Sequence, residues 1–401
     1  MAIHFTPSTP VISDLTLHLK KAELAGPEQT EQRTTFFPAE WHPQSGVQLT
    51  WPHADTDWAP LLHEVTDCYV RMAFEIALRQ QLLIVTPEPD AVQQLLRQRL
   101  PARVHAHIHY FKCPTNDTWA RDHGLLTLIT EQGPRLLDFC FNGWGQKFEA
   151  DLDNAINAAL VGARGSQHAD AGAEVPLLRG HYEPHLDFVF EGGSIESDGA
   201  GTLLTTASCL LAPHRNQPLS RSEIEERLLR WLHADRLIWL EHGHLEGDDT
   251  DGHIDTLARF CPGGVIAYVR CTDPSDPHYP DLQAMETELR ALTVSGDTAS
   301  GTAPYTLLPL PMPAPILDPD DGHRLPATYA NFLIINGAVL MPTYGQPDTD
   351  EEARRQLQKA FPRHEIVPID CRVLIRQHGS LHCCTMQFPQ GVMGERRESR
   401  E

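Results

Sequence analysis

The stretch WAPLLHEVTDCYVRMAFEIALR at residues 58–79, followed by LLIV at 82–85, sets the expected architecture. The first segment spaces its apolar residues like an amphipathic helix, and the second is a short apolar run with strand character. The same succession recurs at 91–99 and 104–110, at 222–232 and 236–240, at 282–292 and 305–310, and at 351–361 and 365–369. Short strand-like pairs also occur, at 194–197 and 201–206, with Asp198-Gly199 between them as a turn signal. The mixture predicts an α/β fold with many hairpins rather than a plain βαβ ladder. No repeat is visible residue by residue, so repetition of a unit is an expectation only.

The chain has 401 residues, enough for two or three domains or one large repetitive domain. We divide it into an extension at 1–34, a domain at 35–389 and a charged tail at 390–401 expected to fray. Residues 162–174 and 299–304 read as surface loops. Hydrophobic content of 41% and charged content of 21% fit a soluble globular protein. A net charge of −22 argues against nucleic acid and anionic membranes as partners and favours a cationic small molecule. The longest apolar run, at 333–341, is interrupted by Asn336 and Gly337 and falls short of the ~18 residues of a membrane span. The opening MAIHFTPSTPVISD lacks a basic region leading into an apolar core, so a secretory leader is not expected and a cytoplasmic location is. The 9 cysteines are odd in number and form no C-x-x-C, which disfavours a disulfide framework or a structural zinc site.

Polar, titratable clusters follow several strand-like runs, the places where α/β scaffolds put chemistry. Asp248 to Asp255 fails as a calcium loop: with Gly252 as the sixth position, the first is Gly247 and the twelfth Ala258. A transition-metal set of His242, His244, His253 and Asp255 matches no common zinc spacing and stands as a minority reading beside a plain solvated acidic loop. His253 and Asp255 lie two apart at the start of the apolar run 254–260. On a strand they would share one face, with His253 as a proton shuttle. Cys383-Cys384 precedes a strand-like run, and a thiolate at that loop edge would be a nucleophile; the alternative is two inert buried thiols. Glu191-Gly192-Gly193 allows close backbone approach to a ligand, or is a simple bulge. Asp117 and Asp122 flank Trp119, an arrangement able to hold a planar cation or to make an ordinary turn around a core aromatic.

Read together, these segments resemble the agmatine deiminase and bacterial peptidylarginine deiminase family of the guanidino-group-modifying superfamily. The resemblance runs through Phe37-Pro38-Ala39-Glu40-Trp41, Thr50-Trp51-Pro52-His53 and Asn116-Asp117-Thr118-Trp119-Ala120-Arg121-Asp122-His123-Gly124. It continues with Phe141-Asn142-Gly143-Trp144-Gly145-Gln146-Lys147, Phe190-Glu191-Gly192-Gly193-Ser194, Asp249-Thr250-Asp251-Gly252-His253-Ile254-Asp255 and Leu381-His382-Cys383, in the family's order. It implies a five-bladed α/β propeller of pseudo-five-fold ββαβ units. It implies Cys383 as nucleophile, His253 as general acid and base, Asp122 and Asp255 as the guanidinium clamp, Glu191 as support for the histidine, and Trp119 as a pocket aromatic. It implies a small cationic guanidino substrate, no metal or organic cofactor, and a homodimer, the family's common assembly. The leading expectation is hydrolysis of agmatine to N-carbamoylputrescine and ammonia in putrescine synthesis. The alternatives are another guanidine, such as peptidyl or N-blocked arginine, a catalytically inactive guanidine-binding protein, and a metal hydrolase built on the histidine-rich loop. The chain departs from the family pattern at Gln377-His378-Gly379-Ser380, where Ser380 takes an Asn position, and at His123-Gly124-Leu125. These departures bear on the end of the pocket that receives the substrate tail.

Overall fold

The computed structural model describes residues 33–162, 177–294 and 303–394. The extension up to residue 32, and the parts of the expected loops and tail at 163–174, 299–302 and 395–401, lie outside the described residues.

Among the described residues the strands form five sheets, and each repeats one connectivity. A hairpin pairs two strands antiparallel, a helix follows, and a third strand joins parallel to the second. In one sheet these are Leu126–Thr130, Arg135–Cys140, the helix Asp151–Leu160 and His181–Val189. In the next they are Glu196–Ser197, Thr202–Thr206, the helix Arg221–Trp231 and Arg236–Leu240. The third uses Ala258–Cys261, Val265–Arg270, the helix Tyr279–Ala291 and Thr306–Pro311. The fourth uses Leu333–Ile335, Ala338–Thr343, the helix Pro347–Ala360 and Glu365–Asp370. The fifth joins both ends of the described chain. Thr385–Pro389 pairs antiparallel with Gln44–Thr50, which runs parallel to Gln81–Thr86 after the helix Leu62–Ala77, and Ile108–Lys112 adds a fourth strand.

Local chemistry explains these boundaries. The helix Arg221–Trp231 begins with a capping box between Ser220 and Glu223. The helices Pro89–Arg99, Tyr279–Ala291 and Pro347–Ala360 carry proline in the first turn, where its missing N–H costs nothing. The parallel central strands are apolar and buried along nearly their whole length, as in Gln81–Thr86, because helices and neighbouring sheets cover both faces.

Three expectations are corrected. Of the five helix-then-strand pairs read from the sequence, those starting at 58 and 91 belong to a single sheet. The unit built on Asp151–Leu160 and His181–Val189 was not foreseen. Residues 104–110 are not one strand: a short helix spans Ala102–His105 and the strand is Ile108–Lys112. The start of the tail does not fray, because Val392 and Met393 are buried and Met393 bridges to Leu178.

Arg259, on Ala258–Cys261, is fully buried. Its guanidinium donates to Glu196, to Glu40 at 2.7 Å and to the Ala330 carbonyl at 3.3 Å, and it lies 4.6 Å over the Phe332 ring. It thereby links the loop before Gln44–Thr50 to three of the sheets. Replacing it by a neutral side chain strands two buried carboxylates. Arg259→Met is therefore expected to destabilise the protein by about 3–5 kcal/mol, read as a fall in the denaturant midpoint.

Candidate active site

In each sheet the last strand of the unit leads through a connection to the first strand of the next, and the candidate site residues come from these five connections. Residues 113–125 carry Asp122, 190–195 carry Glu191, 241–257 carry His253 and Asp255, 312–332 carry Asn331, and 371–384 carry Cys383. Asp122 sits in the one-turn helix Ala120–His123, and Gly193, in the 3-10 turn Gly192–Ser194, donates its N–H to Asp122 Oδ1 at 2.9 Å.

His253 and Asp255 do not share a strand face. His253 caps the 3-10 helix Ile254–Thr256, and the strand begins only at Ala258. The acidic residues ahead of it are scaffolding. Asp248 accepts from the N–H groups of Thr250 and Gly252 at 3.2 and 2.7 Å, while Asp251 is held by Arg215 at 2.6 Å and Lys147 at 2.8 Å. The four-ligand metal reading fails on placement: His242 and His244 are exposed, with His242 turned to Glu288, whereas His253 and Asp255 are buried.

At the centre, Cys383 Sγ lies 3.8 Å from Asp255 Oδ2 and 3.4 Å from Asn331 Oδ1. The His253 ring lies between two carboxylates, with Nε2 at 3.2 Å from Glu191 Oε2 and Nδ1 at 3.6 Å from Asp122 Oδ1. Glu191 is anchored behind by Arg215, whose Nε donates at 3.0 Å. Asp122 Oδ2 accepts from the Trp144 indole at 3.0 Å. That contact depends on the turn 143–146, where four consecutive residues have positive φ, Trp144 at 55° among them. Backbone strain of this kind persists where the surroundings enforce it. Trp119 packs 5.8 Å from Trp58, and a side chain at Gly379 would strike its ring. The structure thus brings together Cys383, His253, Asp255, Asp122 and Glu191. Trp119 lines the Gly379 side of the connection that carries Cys383. Asp117 instead accepts from Trp58 Nε1 and the Thr118 N–H, which makes it a turn residue.

The set is almost wholly enclosed: Cys383 is 5% exposed, Asp122 4%, and His253 and Asp255 are at 0%. Burial and the charges of Asp255 and Asp122 push the Cys383 thiol well above its ordinary value. Burial raises Asp122 to about 6; His253 pulls it down, while Asp255 and Glu191 push it further up. Burial would raise Asp255, but the His382 hydrogen bond and nearby cationic charge hold it below the usual range. Burial opposes charge on His253, yet Asp122, Cys209 and Glu191 raise it well above an ordinary histidine. The resting site is therefore a protonated thiol and an imidazolium among carboxylates, with more negative than positive groups around the sulfur. A bound cation would reverse the penalty on the thiolate.

Two groups of ligating atoms, Glu191–Cys209–His253 and Glu40–Glu196–His382, are close enough to hold an ion. In each, a buried guanidinium already bonds the carboxylates: Arg215 in the first and Arg259 in the second. Sequence reasoning missed Asn331, Arg215 and Cys209. Asn331 is fully buried, and its side chain accepts from the His382 N–H at 2.9 Å and donates to the Asp255 carbonyl at 3.3 Å. A polar residue inside the apolar run at 329–335 was the available signal. The close approach at Gly193 gives a direct test. A Cβ there would lie 2.5 Å from His253 Nδ1 and 2.8 Å from Asp122 Oδ1. Gly193→Ala is expected to lose about 10²-fold in kcat, because it pushes apart the His253 ring and the Asp122 carboxylate.

The profile of the Porphyromonas-type peptidyl-arginine deiminase family matches residues 36–389. A Marinomonas protein provisionally named an agmatine deiminase is 32% identical over 375 residues, covering 88% of this chain and 94% of its own. A Porphyromonas gingivalis structure provisionally described as an arginine deiminase is 49% identical, with a TM-score of 0.80, and the match covers 90% of this chain and all of that one. A C. jejuni agmatine deiminase, crystallised as a cysteine-to-serine variant with substrate bound, is 35% identical with a TM-score of 0.77, covering 91% of this chain and 99% of that one.

Proposed function

Because the chain belongs to the agmatine deiminase and Porphyromonas-type peptidyl-arginine deiminase family, hydrolases of guanidino C–N bonds, we propose that it hydrolyses agmatine to N-carbamoylputrescine and ammonia. The observation that carries this reading is the enclosed cluster in which the Cys383 thiol faces the carboxylates of Asp122 and Asp255, with His253 held between Asp122 and Glu191. Such a site suits a compact cation. The relatives named agmatine deiminases support the same substrate.

In this reading Asp122 and Asp255 grip the guanidinium in its plane and hold its carbon over Cys383 Sγ. The cation offsets their charge and favours the thiolate, the thiol proton passing to solvent as the cation binds. Sulfur attack forms an S–C bond and a tetrahedral adduct. His253, already protonated, gives its proton to the departing nitrogen; the C–N bond breaks and ammonia leaves, with an S-alkylthiouronium on Cys383. His253 then takes a proton from water, whose oxygen attacks the same carbon. The C–S bond breaks, and the ureido product and free thiol return. Every step uses groups of this chain and the two substrates, agmatine and water.

The proposal extends to the finer expectations: five ββαβ units arranged as propeller blades, one catalytic domain at 35–389, a cytoplasmic homodimer in putrescine synthesis, and no nucleic-acid partner. All nine cysteines are free thiols, which suits a reducing compartment. Among the described residues no helix is long and apolar enough to cross a membrane. Asp122 has to be ionised to grip the cation, and its carboxyl titrates at about 6, so kcat/KM is expected to fall as pH drops below about 6. A pH–rate profile checks this.

A second reading, deimination of arginine or an arginyl peptide, is favoured by the family description and by the 49% identical P. gingivalis structure. Ureido-product formation from agmatine, arginine, N-acetylarginine and an arginyl peptide, measured side by side, separates the two. Selective turnover of agmatine is expected. Preference for another guanidine moves the substrate and keeps the mechanism, and silence on all four overturns the proposal.

A further inference from the structure

The motif Phe37-Pro38-Ala39-Glu40-Trp41 carries a glutamate to which neither the sequence reading nor the mechanism gives a task, and the histidine beside the nucleophile is equally unassigned. The structure joins them. His382 is 1% exposed. Its Nδ1 lies 2.7 Å from Asp255 Oδ2, and its Nε2 lies 2.7 Å from Glu40 Oε2. The same Glu40 oxygen accepts from Arg259 at 2.7 Å, and the other oxygen accepts the Ile334 N–H at 2.6 Å. The main chain of His382 is fixed as well, its N–H donating to Asn331 Oδ1 at 2.9 Å and its carbonyl accepting from Thr385 Oγ1 at 2.9 Å. Asp255 therefore has one oxygen bound to a rigidly held imidazole. Its second oxygen, Oδ1, is buried without a hydrogen-bond partner.

We propose that His382, braced by Glu40, is a positioning residue for the reaction: it fixes the Asp255 carboxylate so that Oδ1 stays free for the guanidinium. This rests on the deiminase reading above. A carboxylate can turn about its own side-chain bonds, and one strong bond to Oδ2 removes that freedom. Without it, Oδ2 would be free to turn toward the Cys383 thiol, 3.8 Å away.

Asp255 is faced by His382 and Cys383 from the 371–384 connection, by Arg121 and Asp122 from the one-turn helix, by Arg259 and Glu196 from two sheets, and by His253 from its own turn. Of the groups that hold its carboxyl low, His382 makes the largest contribution. Removing His382 should therefore raise the Asp255 carboxyl toward that of Asp122, which already sets the acid limb of kcat/KM at about 6, so that the limb steepens.

The test compares full-length His382→Ala, His382→Asn, Glu40→Gln and the Glu40→Gln/His382→Ala double variant, with thermal melts to show that each folds. The expected result is a fall in kcat of about 10²-fold for His382→Ala, with a smaller change in KM and a steeper acid limb. His382→Asn, which keeps an N–H able to reach Asp255, should recover at least about 10-fold of that loss. Glu40→Gln should lower kcat alone and add nothing in the His382→Ala background, since it acts through the ring. Equal impairment of the Ala and Asn variants overturns the proposal, as does independent multiplication of the Glu40 and His382 losses. If His382→Ala does not fold, His382→Asn is compared with the Glu40→Gln/His382→Asn double variant: an equal kcat supports the proposal, and a further loss overturns it.

A readout without turnover separates this inference from the deiminase reading. Alkylation of Cys383 by iodoacetamide at pH 8 should slow about 10-fold in His382→Ala, where Asp255 Oδ2 is free to close on the thiolate, and much less in His382→Asn. A chain inert on every guanidine that still shows this slowing loses the proposed reaction and keeps the positioning role. Unchanged alkylation overturns the role whatever the substrate.

Discussion

Cys383→Ser is expected to lower turnover of agmatine by about 10⁴-fold or more without unfolding the protein. The thiol sits in a pocket of carboxylates that holds it protonated until a cation arrives. A serine hydroxyl titrates far above a thiol, so the bound cation cannot bring it to the alkoxide. The exchange is nearly isosteric, so the packing around residue 383 should be little disturbed. Its hydrogen-bond partners, Asn331 and Asp255, can accept from a hydroxyl equally well. Binding should survive, so the variant is expected to retain agmatine in a thermal-shift or calorimetric measurement. Cys384 gives a contrast: it hydrogen-bonds Tyr69 on the other side of the chain and has no part in the clamp. A Cys383→Ser protein with wild-type turnover would remove the nucleophile from the account.

The second large effect is expected of Asp255→Asn, on the order of 10²–10³-fold in kcat. Asparagine keeps the shape and can still accept from His382 Nδ1, so the fold should hold. It loses the negative charge opposite the guanidinium and one of the two oxygens that fix its plane. The consequence is more than weaker binding. With looser orientation the carbon sits over sulfur less often, so each bound substrate reacts more slowly. The kinetic signature is a fall in kcat alongside any rise in KM, measured from initial rates over a range of agmatine concentrations. A rise in KM alone would reduce Asp255 to a binding residue.

Much of the site was legible in the sequence because its residues are polar groups standing just beyond apolar strands. Asp122, Glu191, His253, Asp255 and Cys383 each interrupt that pattern, and chemistry gives each a reason to be there. The parts that were not legible depend on contacts between residues far apart in the chain. Arg215 reads as one more surface arginine until it is found 3.0 Å from Glu191. Asn331 looks like an isolated polar residue until the 312–332 connection brings it against Cys383 and His382. The strand reading of His253 and Asp255 failed because the apolar run at 254–260 begins with a 3-10 turn, which periodicity over so few residues does not distinguish.

The fold was legible in its alternation and misread in its grouping. The unit after residue 126 was overlooked because its third strand, His181–Val189, is mostly polar and half exposed. A lone apolar run would have marked it, and HYEPHLDFV has none. The additional parallel strand Ile108–Lys112 in the sheet that joins the chain's ends made one unit look like two.

The covalent step is the centre of this account, and it can be read directly. The wild-type protein, quenched in acid during turnover of agmatine and mapped by peptide mass spectrometry, should carry an alkylthiouronium adduct on Cys383 and on no other residue. Turnover with the adduct on a different cysteine, or turnover that proceeds with Cys383 replaced, would contradict it.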